Sequence, residues 1–140
     1  GLLAQSQNFD EKYDLKIVTE KRPSNNQLED LKFAWKLCSF VKSNAIILAQ
    51  NKTLLGMGAG QPNRVMSVKI EGEVAGKKSI GCVMASDAFF PFPDSIIKAS
   101  DLGIKSIIQP GGSINDSDVI EEANNRGISM IFTNQRRFTH

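Results

Sequence analysis

Histidine and cysteine are nearly absent from this 140-residue chain: one histidine, His140, at the last position, and two cysteines, Cys38 and Cys82, far apart in apolar segments. A tetrahedral zinc centre needs several closely spaced N/S ligands, so no zinc is expected. No internal histidine stands ready to activate a serine or cysteine, and neither a GxSxG elbow nor a GxxxxGK phosphate loop occurs. Long apolar runs are missing too. The longest, "AIILA" at 45–49, is far too short to span a membrane. Charge of one sign is scarce: a formal net charge of +2 with no basic run excludes nucleic acid or an anionic membrane as expected partners. The opening "GLLAQSQNFDEKYD" turns polar too quickly for a signal peptide. Both cysteines are therefore expected as buried thiols in a reducing cytosol, which makes the expected location cytoplasmic. The first residue is Gly1 rather than methionine, which initiator removal and excision from a longer chain explain equally well.

What is present suits one domain with one core: 41% hydrophobic and 23% charged residues. Residues 1–13 are polar and aperiodic, an extended lead-in to a domain spanning 14–140. "DLKIVTE" (14–20) alternates as an edge strand does. Ser24 and Gln27 form a capping-box signature, and Leu28, Leu31, Trp35, Cys38 and Val41 recur at helical spacing, predicting an amphipathic helix over 25–42. "AIILAQ" and "TLLGMG", separated by "NK", predict a hairpin. A helix over 63–74 follows, then strand 80–85, helix 94–102, strand 106–109, helix 116–126 and strand 128–132, with Gly103 and Gly127 at helix C-caps. Such alternation predicts a three-layer α/β/α sandwich, its sheet mostly parallel with one antiparallel hairpin strand.

Ligands of open α/β sheets gather at the carboxyl ends of the parallel strands. "ASDAFFPFPD" (85–94), "QPGGS" (109–113) and "TNQRRFTH" (133–140) all follow such ends. If 54–58 runs parallel to those strands, its exit "GAGQPNR" (58–64) joins the same edge, with Asn44 beside Gly58 and Gly60. Asn44, Arg64, the Phe89–Asp94 loop, the Gly111–Gly112 turn and Arg136 are thus expected on one rim.

The stretch 85–94 gathers three of the chain's eight phenylalanines within four positions, among two prolines and two aspartates. That pattern suits the wall of a binding site better than a periodic core element. Plainer roles stand beside each functional one. Asp94 could be an N-cap or a ligand contact, "PGGS" a turn or an anion nest, and Asn44 a turn residue. Arg136, Lys42 and Lys69 could be solvated surface charges. "GMGAG" places its glycines wrongly for a dinucleotide fingerprint. General acid–base work would fall to Asp87, Asp94 or a lysine. Amides, two arginines, aromatic walls and one or two carboxylates together suit a planar, anionic small molecule such as a nucleotide.

"FAWKLCSFVKSNAI", "GMGAGQPNRV", "ASDAFFPFPDS", "IIQPGGSINDSDVI" and "FTNQRRFTH", in that order, closely resemble the C-terminal end of the bifunctional purine-synthesis family. Its transformylase part, phosphoribosylaminoimidazole-carboxamide formyltransferase, moves a formyl group from 10-formyltetrahydrofolate to a ribonucleotide amine. The resemblance covers about Leu15 to His140 and implies a cytidine-deaminase-like fold, used twice in the transformylase, of which this chain matches the second copy. It implies that Asn44 faces the carboxamide and reacting amine, that Arg64 and Arg136 hold the nucleotide, and that Phe89 borders the aminoimidazole. Pro91 and Phe92 would border the folate, and Asp94 matches an acid on the folate-facing side. The family's lysine–histidine proton-transfer pair has no counterpart here, so no catalytic residue is expected within this chain. The resemblance finds no cyclohydrolase domain here either, so the chain is expected to be a fragment of a longer protein, inactive alone. Some relatives hold potassium, and Ser43 and Asp87 match ligand positions. Val41 and Ala45, standing where hydroxyl-bearing residues are expected, argue against potassium here, and the Lys42 ammonium could stand beside Asp87 instead. The implied partners are the nucleotide, the folate co-substrate, the remainder of the bifunctional chain, and a second copy, since the family dimerises with shared sites. The alternative is a non-catalytic nucleotide-binding or dimerisation module.

Overall fold

Ser24 opens the first helix as its sequence predicts. The Ser24 Oγ accepts from the Gln27 N–H at 3.1 Å, and the Gln27 Oε1 accepts from the Ser24 N–H at 2.9 Å, which satisfies two donors that a helix start leaves orphaned. In the computed structural model, which describes residues 15–41, 44–58, 81–90 and 92–134, this helix α1 is Asn25–Cys38. It stops short of the expected residue 42 because Ser39 Oγ donates to the Lys36 carbonyl at 2.6 Å, competing for the helix's own acceptor. The next N–H groups, of Phe40 and Val41, bond three residues back rather than four, so Val41 still reaches the core while Phe40 is turned outward, 77% exposed.

Strands β1 (Lys16–Ile17), β2 (Ile46–Gln50), β3 (Thr53–Gly58), β4 (Val83–Ser86), β5 (Ser106–Gln109) and β6 (Ser129–Phe132) make one sheet in the order β1-β6-β5-β4-β2-β3. β4, β5 and β6 are parallel. β2 is antiparallel to both β3 and β4, so it is the expected hairpin strand and β3 runs with the parallel set. The short edge strand β1 pairs antiparallel to β6, which adds a second strand of that sense at the far edge. Helices α2 (Asp94–Asp101) and α3 (Asp116–Asn125) complete the described elements. The predicted lead-in 1–13 and helix 63–74 lie outside the described residues.

Alternation along the strands sorts the core into two layers, as period-2 geometry requires. Ile47, Ala49, Val83, Ala85, Ile108 and Ile131 join Leu31, Ala34, Trp35 and Cys38 of α1. Ile46, Leu48, Met84, Ile107 and Met130 join Ile96 and Ala99 of α2 and Val119 and Ala123 of α3. The sheet is covered on both faces, an α/β/α sandwich. Every residue of β4, β5 and β6 is buried, which is why these segments read as short continuous apolar runs. Both helices of the second layer end alike. The Ile104 N–H bonds the Ala99 carbonyl and the Gly103 N–H that of Ser100, and Ile128 and Gly127 repeat the pattern with Ala123 and Asn124. With Gly103 at φ 84° and Gly127 at φ 70°, these are Schellman caps, and glycine relieves the left-handed turn.

The hairpin turn is held from outside. Asn51 and Lys52 both adopt φ 54°, the mirror-image turn that matches strand twist. The buried Asp30 carboxylate of α1 accepts both their N–H groups, at 3.0 and 2.9 Å. Asp30→Ala removes two charge-assisted bonds, so we expect it to cost about 2–3 kcal/mol. In denaturant titration that is a lower midpoint at unchanged slope, with Asp30→Asn milder.

Candidate functional site

Register fixes which loops share an edge. Ile46 is paired with both Gly58 and Ser86, Ala85 with Ile108, and Gln109 with Phe132. The entry to β2 and the exits of β3, β4, β5 and β6 therefore open on one rim, as the strand directions predict. Asn44, half-buried, lies two residues before β2 at that rim. The segment from Asp87 to Asp94 leaves β4 there, and Gly111 and Gly112 leave β5. Arg64, Pro91 and Arg136, expected at the same place, lie outside the described residues, as do Lys42, Ser43, Lys69 and His140.

The aromatic stretch divides its rings between two tasks. Phe90 is fully buried among Met84, Ile96, Ile107 and the rest of the second layer. Phe89 is half-buried and Phe92 is 60% exposed. Of the three rings, Phe89 and Phe92 keep surface open to solvent. The signal separating Phe90 from them is weak in sequence, since proline and adjacent aromatics hide any period.

The N-cap reading of Asp94 is not realised. Pro93 occupies the cap position of α2 with no side-chain capping bond, and Asp94 is the first helical residue, exposed. A carboxylate in that first turn favours the helix dipole. The anion-nest reading of "PGGS" gives way to the turn. Gly112 and Ser113 donate their N–H groups to the two Asp116 carboxylate oxygens at 2.8 and 3.0 Å, so the chain supplies its own anion. Asp116, four residues past Gly112, was the available clue.

Asp87 is 1% exposed, and its Oδ1 accepts from the Ala45 N–H at 2.9 Å. It is turned to the backbone of the neighbouring strand rather than presented to solvent as an acid or base. The thiols are equally withdrawn. Both cysteines are buried, and desolvation pushes Cys82 up to about 12, so it stays a neutral thiol far above physiological pH. Cys82 also precedes β4, at the edge opposite the rim. Among the described residues no group of three metal-ligating side chains converges, and no helix is long and apolar enough to cross a membrane.

Comparison with known proteins places these elements in a lineage. Residues 1–74 match the model of the family described as AICARFT/IMPCHase bienzyme. The bifunctional purine biosynthesis protein PurH of Trichodesmium erythraeum is 53% identical over 142 residues, covering 100% of this chain and 28% of that protein. PurH of Synechocystis sp. is 54% identical over 143 residues with the same coverage, and that of Ruminiclostridium cellulolyticum 51% over 143. The chain thus spans 28% of the length of these relatives. Among solved structures, Acinetobacter baumannii RibD (form 2) superposes with a TM-score of 0.49 at 15% identity, over 74% of this chain and 33% of that one.

Proposed function

Because the chain belongs to the AICARFT/IMPCHase bienzyme family, we propose that it is the second deaminase-like subdomain of the transformylase, contributing the substrate-binding half of a formyltransferase site. The family's description joins two activities, and the choice between them rests on the rim residues. The observation that carries it is the shared edge onto which β2 opens and β3 to β6 exit, with Asn44, Phe89, Phe92 and Asp94 along it.

In this reading Asn44 meets the carboxamide and amine of aminoimidazole carboxamide ribonucleotide, with Arg64 and Arg136 holding the nucleotide. Phe89 borders the aminoimidazole. Pro91 and Phe92 border 10-formyltetrahydrofolate, and Asp94 lies toward it. Aromatic and proline surfaces suit flat rings, and proline's fixed torsion lowers the ordering cost of binding. Neither zinc nor potassium enters the reading. The site is completed by the rest of a longer bifunctional chain and by a second copy.

The amine is a weak nucleophile, part of a conjugated carboxamide. Its attack on the formyl carbon needs its own proton removed and the departing folate nitrogen protonated. General acid–base catalysis contributes about 10²–10⁴-fold and needs a group with pKa near neutrality. None of the rim residues named here is a histidine or a lysine. We therefore expect calorimetry to find weak nucleotide binding by this chain and stopped or steady-state assays to find negligible formyl transfer, restored in the full-length protein. A robust formyl-transfer rate from the 140 residues alone would put the proton carriers inside them. Ring closure of the formylated nucleotide, without formyl transfer in any longer form, would assign the chain to the cyclohydrolase instead.

A further inference from the structure

Where β2 and β4 reach the rim, their ladder ends in an unusual way. Ile46 and Ser86 are the last strand pair, and just beyond it Ala45 and Asp87 still bond to one another. The Asp87 N–H donates to the Ala45 carbonyl at 3.2 Å, as an antiparallel ladder requires. In the return direction, the Ala45 N–H donates to the Asp87 carboxylate Oδ1 at 2.9 Å. One residue thus grips both backbone groups of Ala45. Ala45 is fully buried and Asp87 1% exposed, so water does not compete for these bonds.

Using a side-chain oxygen lets the two backbones part immediately. Ser86 Oγ donates to the Ala88 carbonyl at 2.7 Å, turning the chain out of β4 toward Phe89, while Ala45 stays pinned. Asn44 is the residue just outside the pinned one. Phe90, sunk in the core, anchors the other end of the departing loop. Asp87 therefore joins the segment carrying Asn44 to the segment carrying Phe89.

We propose that Asp87 is a positioning residue: through Ala45 it fixes the Asn44 side chain against the nucleotide and sets its spacing from Phe89. This rests on the reading of Asn44 given above. A carboxylate is the suitable group because a charge-assisted bond to a backbone N–H is shorter and stiffer than a neutral one.

The test is a double-mutant cycle in the full-length bifunctional protein, reading kcat and KM separately for nucleotide and folate. Asp87→Ala is expected to lower kcat/KM for the nucleotide about 10- to 100-fold when Asn44 is present, and under about threefold in the Asn44→Ala background, because coupled neighbours are non-additive. The folate KM should move much less. Asp87→Asn keeps an acceptor in place at reduced strength and should lose only about three- to tenfold, again only when Asn44 is present. If Asp87→Ala does not fold, the Asp87→Asn cycle decides alone. Equal losses with and without Asn44 would overturn the proposal and leave Asp87 a general structural residue. An Asn44→Ala variant with unchanged nucleotide kinetics would instead sink the reading of Asn44, and the proposal with it.

Discussion

Gly111→Ala should be among the most damaging single-methyl changes in the chain, costing about 2–5 kcal/mol. Two separate penalties combine. Gly111 holds φ +75°, where a Cβ meets the carbonyl and costs roughly 1–2 kcal/mol. A Cβ there would also lie 2.5, 2.8 and 2.9 Å from three ring atoms of Phe132. A planar ring met at three atoms cannot give way by rotating one bond, and Phe132 is 7% exposed within the second core layer. Overpacking of that kind costs roughly 1–3 kcal/mol. Gly112 supplies the control. Its φ is +105°, yet a Cβ there meets nothing within 4 Å, so Gly112→Ala should carry the backbone penalty alone. Denaturant titrations of the two variants should differ by at least about 1 kcal/mol. Equal losses would mean that Phe132 does not pack on the turn. The consequence reaches beyond stability, because the Thr133 and Asn134 N–H groups bond the Gln109 and Pro110 carbonyls at 2.9 Å. Displacing Phe132 would disturb the segment that leads on to Arg136.

Elements set by local rules were legible in the sequence. The Ser24–Gln27 box, the 3–4 spacing on α1, the "NK" turn and the glycines after α2 and α3 each act over a few residues, and each was found where expected. Strand directions followed, and with them the rim. The roles of the carboxylates were not legible. Asp30 bonds residues 21 and 22 positions away, and Asp87 one 42 away, distances that no local pattern encodes. Asp116 was a different failure, since its partners are only three and four residues back. Its charge cancels the anion-binding potential of the glycine turn it follows. The early stop of α1 likewise came from one competing hydroxyl, Ser39, which apolar periodicity does not register.

Phe90→Ala and Phe92→Ala should separate cleanly, although only Pro91 lies between them. Phe90 is fully buried with Met84, Ile96 and Ile107, and its loss leaves a cavity that strands on a packed sheet cannot collapse to fill. The expected cost is about 3–5 kcal/mol. Phe92 is 60% exposed, so its truncation should stay within about 0.5 kcal/mol in the ligand-free protein. Thermal melts of the isolated variants test both. In the full-length protein the order should reverse for function. Phe92→Ala should weaken folate binding while leaving nucleotide binding nearly unchanged, because an exposed ring on the rim has no fold-stabilising role to explain its presence. Phe90→Ala should depress both together, since it loosens the anchor of the whole loop between Asp87 and α2. A large fall in ligand-free stability for Phe92→Ala would make the aromatic stretch a core element throughout, and the rim would lose the flat wall on which a pteridine-sized ring is proposed to rest.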